Sequence, residues 1–286
     1  TSKGDANASQ AAEAAKVDDS KLDGTTITFW HSMGGVNGEA LQTLVDKFNS
    51  ENEYGITVDA QYQGEYDDTI NKLKSAQIGN MGADLVQIYD IGTRFMIDSG
   101  WVIPMQQLID ADGYDMSKIE PNIAAYYTVD DTLYSMPFNS STPILYYNKD
   151  MFEQYGLEEP KTLADLENIC ATLKENGITP FALANASKWT GSMYFMSLAA
   201  RYGGLEPFQN AVAGTGKFTD DCFIKAGEKI QEWVNNGYFP DGVNSLSEDD
   251  GQAKQLMYQE TAGMLLCGSW YTGTFQTDSE EFYQKI

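Results

Sequence analysis

The sequence predicts an α/β protein of two lobes, each a mainly parallel sheet flanked by helices. Three observations lead there. After residue 25 the pattern runs strand, helix, strand, helix, strand, the signature of a parallel α/β lobe. A polar, turn-prone patch, Asn139 to Pro143, separates two foldable halves. The chain has 286 residues, 42% hydrophobic and 12% aromatic, enough for two cores. The expected boundaries are a flexible tether over 1–24, a first lobe over 25–139, and a hinge with a second lobe over 140–286.

Thr1 to Gly24 is rich in Ala, Ser, Asp, Lys and Gly and has no aromatic residue. That composition gives a tether. It suits the start of a lipoprotein without its lipidated cysteine, or an ordinary disordered terminus. Thr25 to Trp30 alternates and is β-branched, so it reads as a first strand. His31 to Gly38 is a Gly-rich loop. Leu41, Leu44, Val45 and Phe48 then fall on one helix face. A second strand starts at Ile56, a helix spans Tyr66 to Ile78, and Asp84 to Tyr89 reads as a buried third strand ending at Asp90. In such lobes ligands sit outside the carboxyl ends of the strands. The loop after Trp30, the Tyr66 region and Asp90 therefore line one edge.

Ile144 to Tyr147 is an apolar strand after the polar patch, stopped by Asn148, Lys149 and Asp150. Thr162 to Asp165 forms a capping box, with Asp in place of the usual Glu. Its helix ends near Gly177. Phe181 to Ala184 is a short strand, Trp189 to Arg201 a helix, and Ile224 to Asn236 a helix with Ile230, Trp233 and Val234 on its apolar side. Gly263 to Cys267 is a buried strand.

Composition narrows the function. Asp and Glu number 42 against 18 Lys and Arg, a net charge of -24. Such a surface repels nucleic acid and anionic membranes. No run approaches the ~18 apolar residues of a membrane helix. The three cysteines contain no CxxC pair, and Cys170 and Cys267 read as small buried hydrophobes. With His31 the only histidine, no HExxH zinc site can form. No GxSxG elbow is present. Gly214 to Lys217 lacks the upstream Gly and following Ser/Thr of a phosphate loop and reads as a turn. Ser247 to Asp250 lacks the spaced acids of a calcium loop and reads as a solvated turn. No catalytic residue, metal or cofactor is predicted.

What remains is a set of aromatic residues beside Gly, Ser or Asp: Trp30, Tyr66, Trp189, Trp270 and Tyr271. Flat aromatic faces bury the CH faces of a sugar or polyol, and neighbouring hydroxyls and carboxylates fix its OH groups. Trp101 and Trp233 lie on apolar faces and read as core.

Phe29 to Met33, Gln87 to Thr93 and, above all, Pro137 to Asp150 carry a resemblance. The chain is similar to family 1 extracellular solute-binding proteins of ABC importers, closest to their glycerol-3-phosphate-binding and carbohydrate-binding branches. The similarity runs from about Thr26 to Trp270. It implies a type II periplasmic-binding-protein fold with no catalysis. A carbohydrate or glycerol-3-phosphate-like polyol is captured in an interlobe cleft by hinge closure, then delivered to permease subunits. It also implies an extracellular or periplasmic monomer that meets the membrane only through a lipid anchor. Carried over residue by residue, the ligand-binding set is Tyr66, Asp90, Ser141, Trp189, Ser269 and Trp270. The glycerol-3-phosphate branch has a second tryptophan where this chain has Ser192. Gly268 to Trp270 instead resembles the sugar-binding branch. A C-terminal part that completes the lobes, and carries an arginine suited to phosphate, is expected beyond residue 286. The rival readings are a secreted carbohydrate-active enzyme and a ligand-sensing module on the same fold.

Overall fold

The computed structural model describes residues 21–79 and 81–286. Most of the expected tether, residues 1–20, lies outside the described residues. Its last residues form a turn, with Gly24 N–H donating to Gly55 O at 3.1 Å. The chain divides into two compact units, the first ending at Ser140 and the second opening at Ser141.

In the first unit, β1 (Thr26–His31), α1 (Gly35–Glu51), β2 (Thr57–Tyr62), α2 (Tyr66–Gln77) and β3 (Leu85–Val86) follow the predicted order. The sheet order is β2-β1-β3 and both pairings are parallel. α1 starts at Gly35, inside the stretch expected to be a loop. It buries Leu41 and Val45 against Phe29, while Leu44 and Phe48 are exposed. The expected stripe is thus wider than the buried one, because a sheet of three strands, one of them two residues long, covers only part of it.

The third strand is also shorter than predicted, and Leu85 is exposed. The reason is local. The Gln87 backbone still donates to Trp30 O, but its side chain turns to Ser32 and Asn139, and a 3₁₀ turn, Asp90–Gly92, follows. Trp101 is a further correction. It follows Gly100, the left-handed cap of helix Thr93–Ser99 (φ 67°), so it lies off any helix face. It is exposed and meets Phe95 edge-on at 5.6 Å.

The second unit contains β4 (Pro143–Tyr147), α3 (Leu163–Glu175), β5 (Thr179–Phe181), α4 (Trp189–Gly203), α5 (Asp221–Asn235), β6 (Ala262–Gly268) and α6 (Tyr271–Asp278), among other short helices. The sheet order is β4-β6-β5. β5 runs parallel to β6, but β4 runs antiparallel, with Pro143 opposite Gly268 and Tyr147 opposite Met264. This sheet is mixed, where a mainly parallel one was expected.

β6 is almost wholly buried, as a central strand covered on both faces should be. Its side chains alternate. Met264 enters a core with Phe181, Tyr194, Phe223, Trp233 and Phe239; Leu265 and Cys267 enter another with Tyr146, Met257, Phe275 and Phe282. The Thr162 capping box forms as read: Asp165 N–H donates to Thr162 Oγ1 (3.1 Å) and Thr162 N–H to Asp165 Oδ2 (2.8 Å). On α5, Trp233 is buried as expected, but Val234, one position round the helix, is exposed. Cys170, Cys222 and Cys267 are buried and free.

Candidate functional site

On the first unit, Tyr66 is the first residue of α2. Acids at Asp67 and Asp68 complement the positive end of that helix, and Glu65 N–H donates to Asp68 Oδ2 at 3.2 Å, which fixes where the helix starts. The Tyr66 ring stacks on Tyr89, centroids 5.3 Å apart and planes 5° apart. A hydrogen-bond chain holds its hydroxyl. Asn139 Nδ2 donates to it (3.2 Å), Gln87 Nε2 donates to Asn139 Oδ1 (2.9 Å), and Ser32 N–H donates to Gln87 Oε1 (2.9 Å). Tyr89 donates to Asp67 Oδ1 (2.6 Å), and this bond, with burial, pushes the phenol up to about 12, so it stays protonated. Asp90, next in sequence, opens the 3₁₀ turn and is exposed to solvent. Asp90 therefore stands beside a stacked tyrosine pair of which Tyr66 is one member.

On the second unit, Ser269 N–H donates to Thr142 O (2.9 Å) and Thr142 N–H to Ser269 Oγ (3.3 Å). These bonds carry the β4–β6 pairing past Gly268 and set exposed Ser141 next to the Ser269 turn. Trp270 follows and its ring folds back over Gly268. A Cβ built at residue 268 would stand 1.8 Å from ring carbon Cζ3. Glycine is needed there for space. Trp189 opens α4, and its ring lies 5.8 Å from that of Trp270, tilted by 57°. Trp189 and Trp270 are 37% and 41% exposed, so each leaves surface open to solvent in a chain whose Trp233 is 2% exposed. The Trp189 indole N–H donates to Asp249 Oδ1 at 3.2 Å. Gly268→Ala should dislodge Trp270. We expect the near-ultraviolet circular dichroism of the ring pair to fall while the far-ultraviolet spectrum holds.

The predicted residues thus fall into two sets, Tyr66 with Asp90 on the first unit and Ser141, Trp189, Ser269 and Trp270 on the second. Two other aromatic candidates are not in them. Tyr271 is buried against Tyr146 and Phe275, because the first turn of α6 faces the core. Trp30 is half-buried on the sheet, its indole donating to Gln61 Oε1 (3.1 Å). Sequence reasoning missed Tyr89, Gln87 and Asp249. Asp249 lies in an acidic run that reads as a solvated turn, and only the fold brings it to the Trp189 indole.

The same run holds a second surprise. Glu248 is buried, and the Tyr271 hydroxyl donates to its Oε1. Burial pushes its carboxyl above the ordinary 4.5, although bonds from Tyr271 and Cys267 work the other way. A carboxyl whose folded value is raised binds its proton more tightly folded than unfolded. The stability it gives is complete below the unfolded value and is lost as pH rises through the folded one. Glu248→Gln removes this titration. Melts from about pH 4 to about pH 8 should show the wild type losing stability relative to the variant as pH rises.

Among the described residues no group of His, Cys, Asp or Glu could hold a metal ion, and no helix is long and apolar enough to cross a membrane.

Comparisons with known proteins bear on the family and the fold. The family described as bacterial extracellular solute-binding protein matches residues 34–286. The sn-glycerol-3-phosphate-binding periplasmic protein UgpB of Shigella flexneri is 38% identical over 185 residues. That match covers 62% of this chain and 41% of the relative, so it spans less than half of the relative's length. A structure solved in work on xylan utilization by the thermophilic bacterium Caldanaerobius polysaccharolyticus superposes with a TM-score of 0.79 at 27% identity, covering 91% of this chain and 66% of that one. A chitin oligosaccharide binding protein superposes at 0.76 with 18% identity, over 91% of this chain and 65% of that one, a likeness of fold alone. The chain belongs to the bacterial extracellular solute-binding protein family.

Proposed function

We propose that the chain is the ligand-capturing part of an ABC importer, working outside the cytoplasmic membrane and handing a carbohydrate to permease subunits. The observation that carries this reading is the tilted pair Trp189 and Trp270, each with an open face, beside the Ser141 and Ser269 hydroxyls. Half-open indoles are costly to leave in water, and a sugar ring covers them with its CH face while hydroxyls bond around it. Tyr66 and Asp90 are the ligand contacts assigned to the first unit. Asp90 accepts hydrogen bonds from hydroxyls, which discriminates against analogues that lack them. The protein acts as a monomer held at the cell surface by a lipid, and it turns nothing over.

The solved structure from work on xylan utilization favours a plant-polysaccharide oligomer as cargo. A glycerol-3-phosphate-like polyol is the second reading, favoured by the 38% identical relative and by exposed Lys188 next to Trp189. A thermal-shift panel of neutral oligosaccharides, monosaccharides and glycerol-3-phosphate separates the two. Stabilisation by the oligosaccharides supports the first reading; stabilisation by glycerol-3-phosphate alone replaces it with the second. Chromatography of the same mixtures tests the absence of turnover.

A further inference from the structure

We infer that Asp249 determines ligand specificity on the second unit's aromatic face, selecting neutral polyhydroxylated ligands over anionic ones. This rests on the stacking proposed above for Trp189 and Trp270. The indole N–H lies in the ring plane, so a 3.2 Å bond from it to Asp249 Oδ1 sets the carboxylate at the rim of the Trp189 ring. A sugar lying on that face projects its equatorial hydroxyls past the rim, towards the carboxylate.

The carboxylate is held there by a clasp. The backbone N–H groups of Glu248 and Asp249 both donate to Ser187 Oγ, at 3.0 and 3.3 Å. Ser187 O in turn accepts the Trp189 N–H at 2.7 Å, closing a tight turn over Lys188 at φ 64°, ψ −43°. A γ-turn of this hand is rare and strained for a residue with a side chain, and such strain persists only where the surroundings enforce it. One serine therefore ties the ring and its carboxylate together.

Most of the acceptor capacity stays open. An ionised carboxylate offers about four acceptor positions, of which Trp189 uses one. Asp249 is exposed, and among the described residues Lys188 forms no ion pair with it. Its charge is thus available to strengthen bonds from hydroxyls and to repel a carboxylate or phosphate at the same rim.

Asp249→Asn tests this, since the amide oxygen still accepts the indole N–H while the charge is gone. Calorimetric titrations would use xylotriose and maltotriose, their carboxylated counterparts and glycerol-3-phosphate. We expect Asp249→Asn to weaken the best neutral ligand about tenfold and to lower the neutral-to-anionic affinity ratio by about tenfold or more. Asp249→Glu, which keeps the charge, should keep the ratio. An Asn variant whose ratio stays within about twofold of wild type overturns the inference. Trp189→Ala, run in parallel, separates the two levels. If it abolishes binding while the Asn ratio is unchanged, only the Asp249 role fails. If it leaves binding intact, or if no sugar binds the wild type, the stacking reading fails and takes this inference with it.

Discussion

Trp270→Ala should weaken carbohydrate binding by about 10- to 100-fold, a loss of about 1.4–2.8 kcal/mol. The ring lies over Gly268 and the residue is 41% exposed, so alanine removes the proposed stacking surface without opening the core. It also leaves Trp189 without the neighbour that defines the tilted pair. The melting temperature should therefore change little. A calorimetric titration reads the affinity, and a thermal melt serves as control. Unchanged affinity would remove the stacking role.

Phe181→Ala should have the largest effect on stability. Phe181 is fully buried at the end of β5, with Trp233 and Tyr194 each 5.4 Å away and Phe239 at 5.9 Å. Removing a ring from such a packed group costs about 3–5 kcal/mol, from lost transfer energy and the cavity left behind. In a unit of this size that corresponds to a fall of roughly 10 °C or more in melting temperature. Urea unfolding with an unchanged slope checks it. A cost under about 1 kcal/mol would mean that the core collapses around the gap.

Much of this was legible in the sequence. The β-α-β-α-β pattern located β1, α1, β2 and α2, and the Thr162 capping box located α3, because local hydrogen bonds and periodicity are properties of short segments. Where tertiary placement decides, the reading failed. Leu44 and Phe48 continue an apolar stripe that the short sheet does not cover. Trp101 leaves its helix through a left-handed glycine. Tyr271 looks like a site residue by its neighbours, yet α6 turns it inward to Glu248.

The candidate site divides the same way. Trp189 and Trp270 stand out in the sequence as aromatic residues near Gly or Ser at element ends, whereas Ser141 and Ser269 follow only from the family resemblance. Tyr89 and Gln87 fall in a segment whose sequence reads as a buried strand, which hides the stack and the hydrogen-bond chain that fix Tyr66. Asp249 stands 60 residues from Trp189, and no local pattern joins them.

On the function proposed above, the Trp189–Trp270 face captures a carbohydrate without transforming it. Calorimetric titration of this chain with neutral oligosaccharides tests it most directly. Saturable one-site binding with a negative heat-capacity change is expected, as apolar faces leave water, with the sugar recovered intact. No binding to any neutral oligosaccharide, or recovery of cleaved sugar, would contradict it.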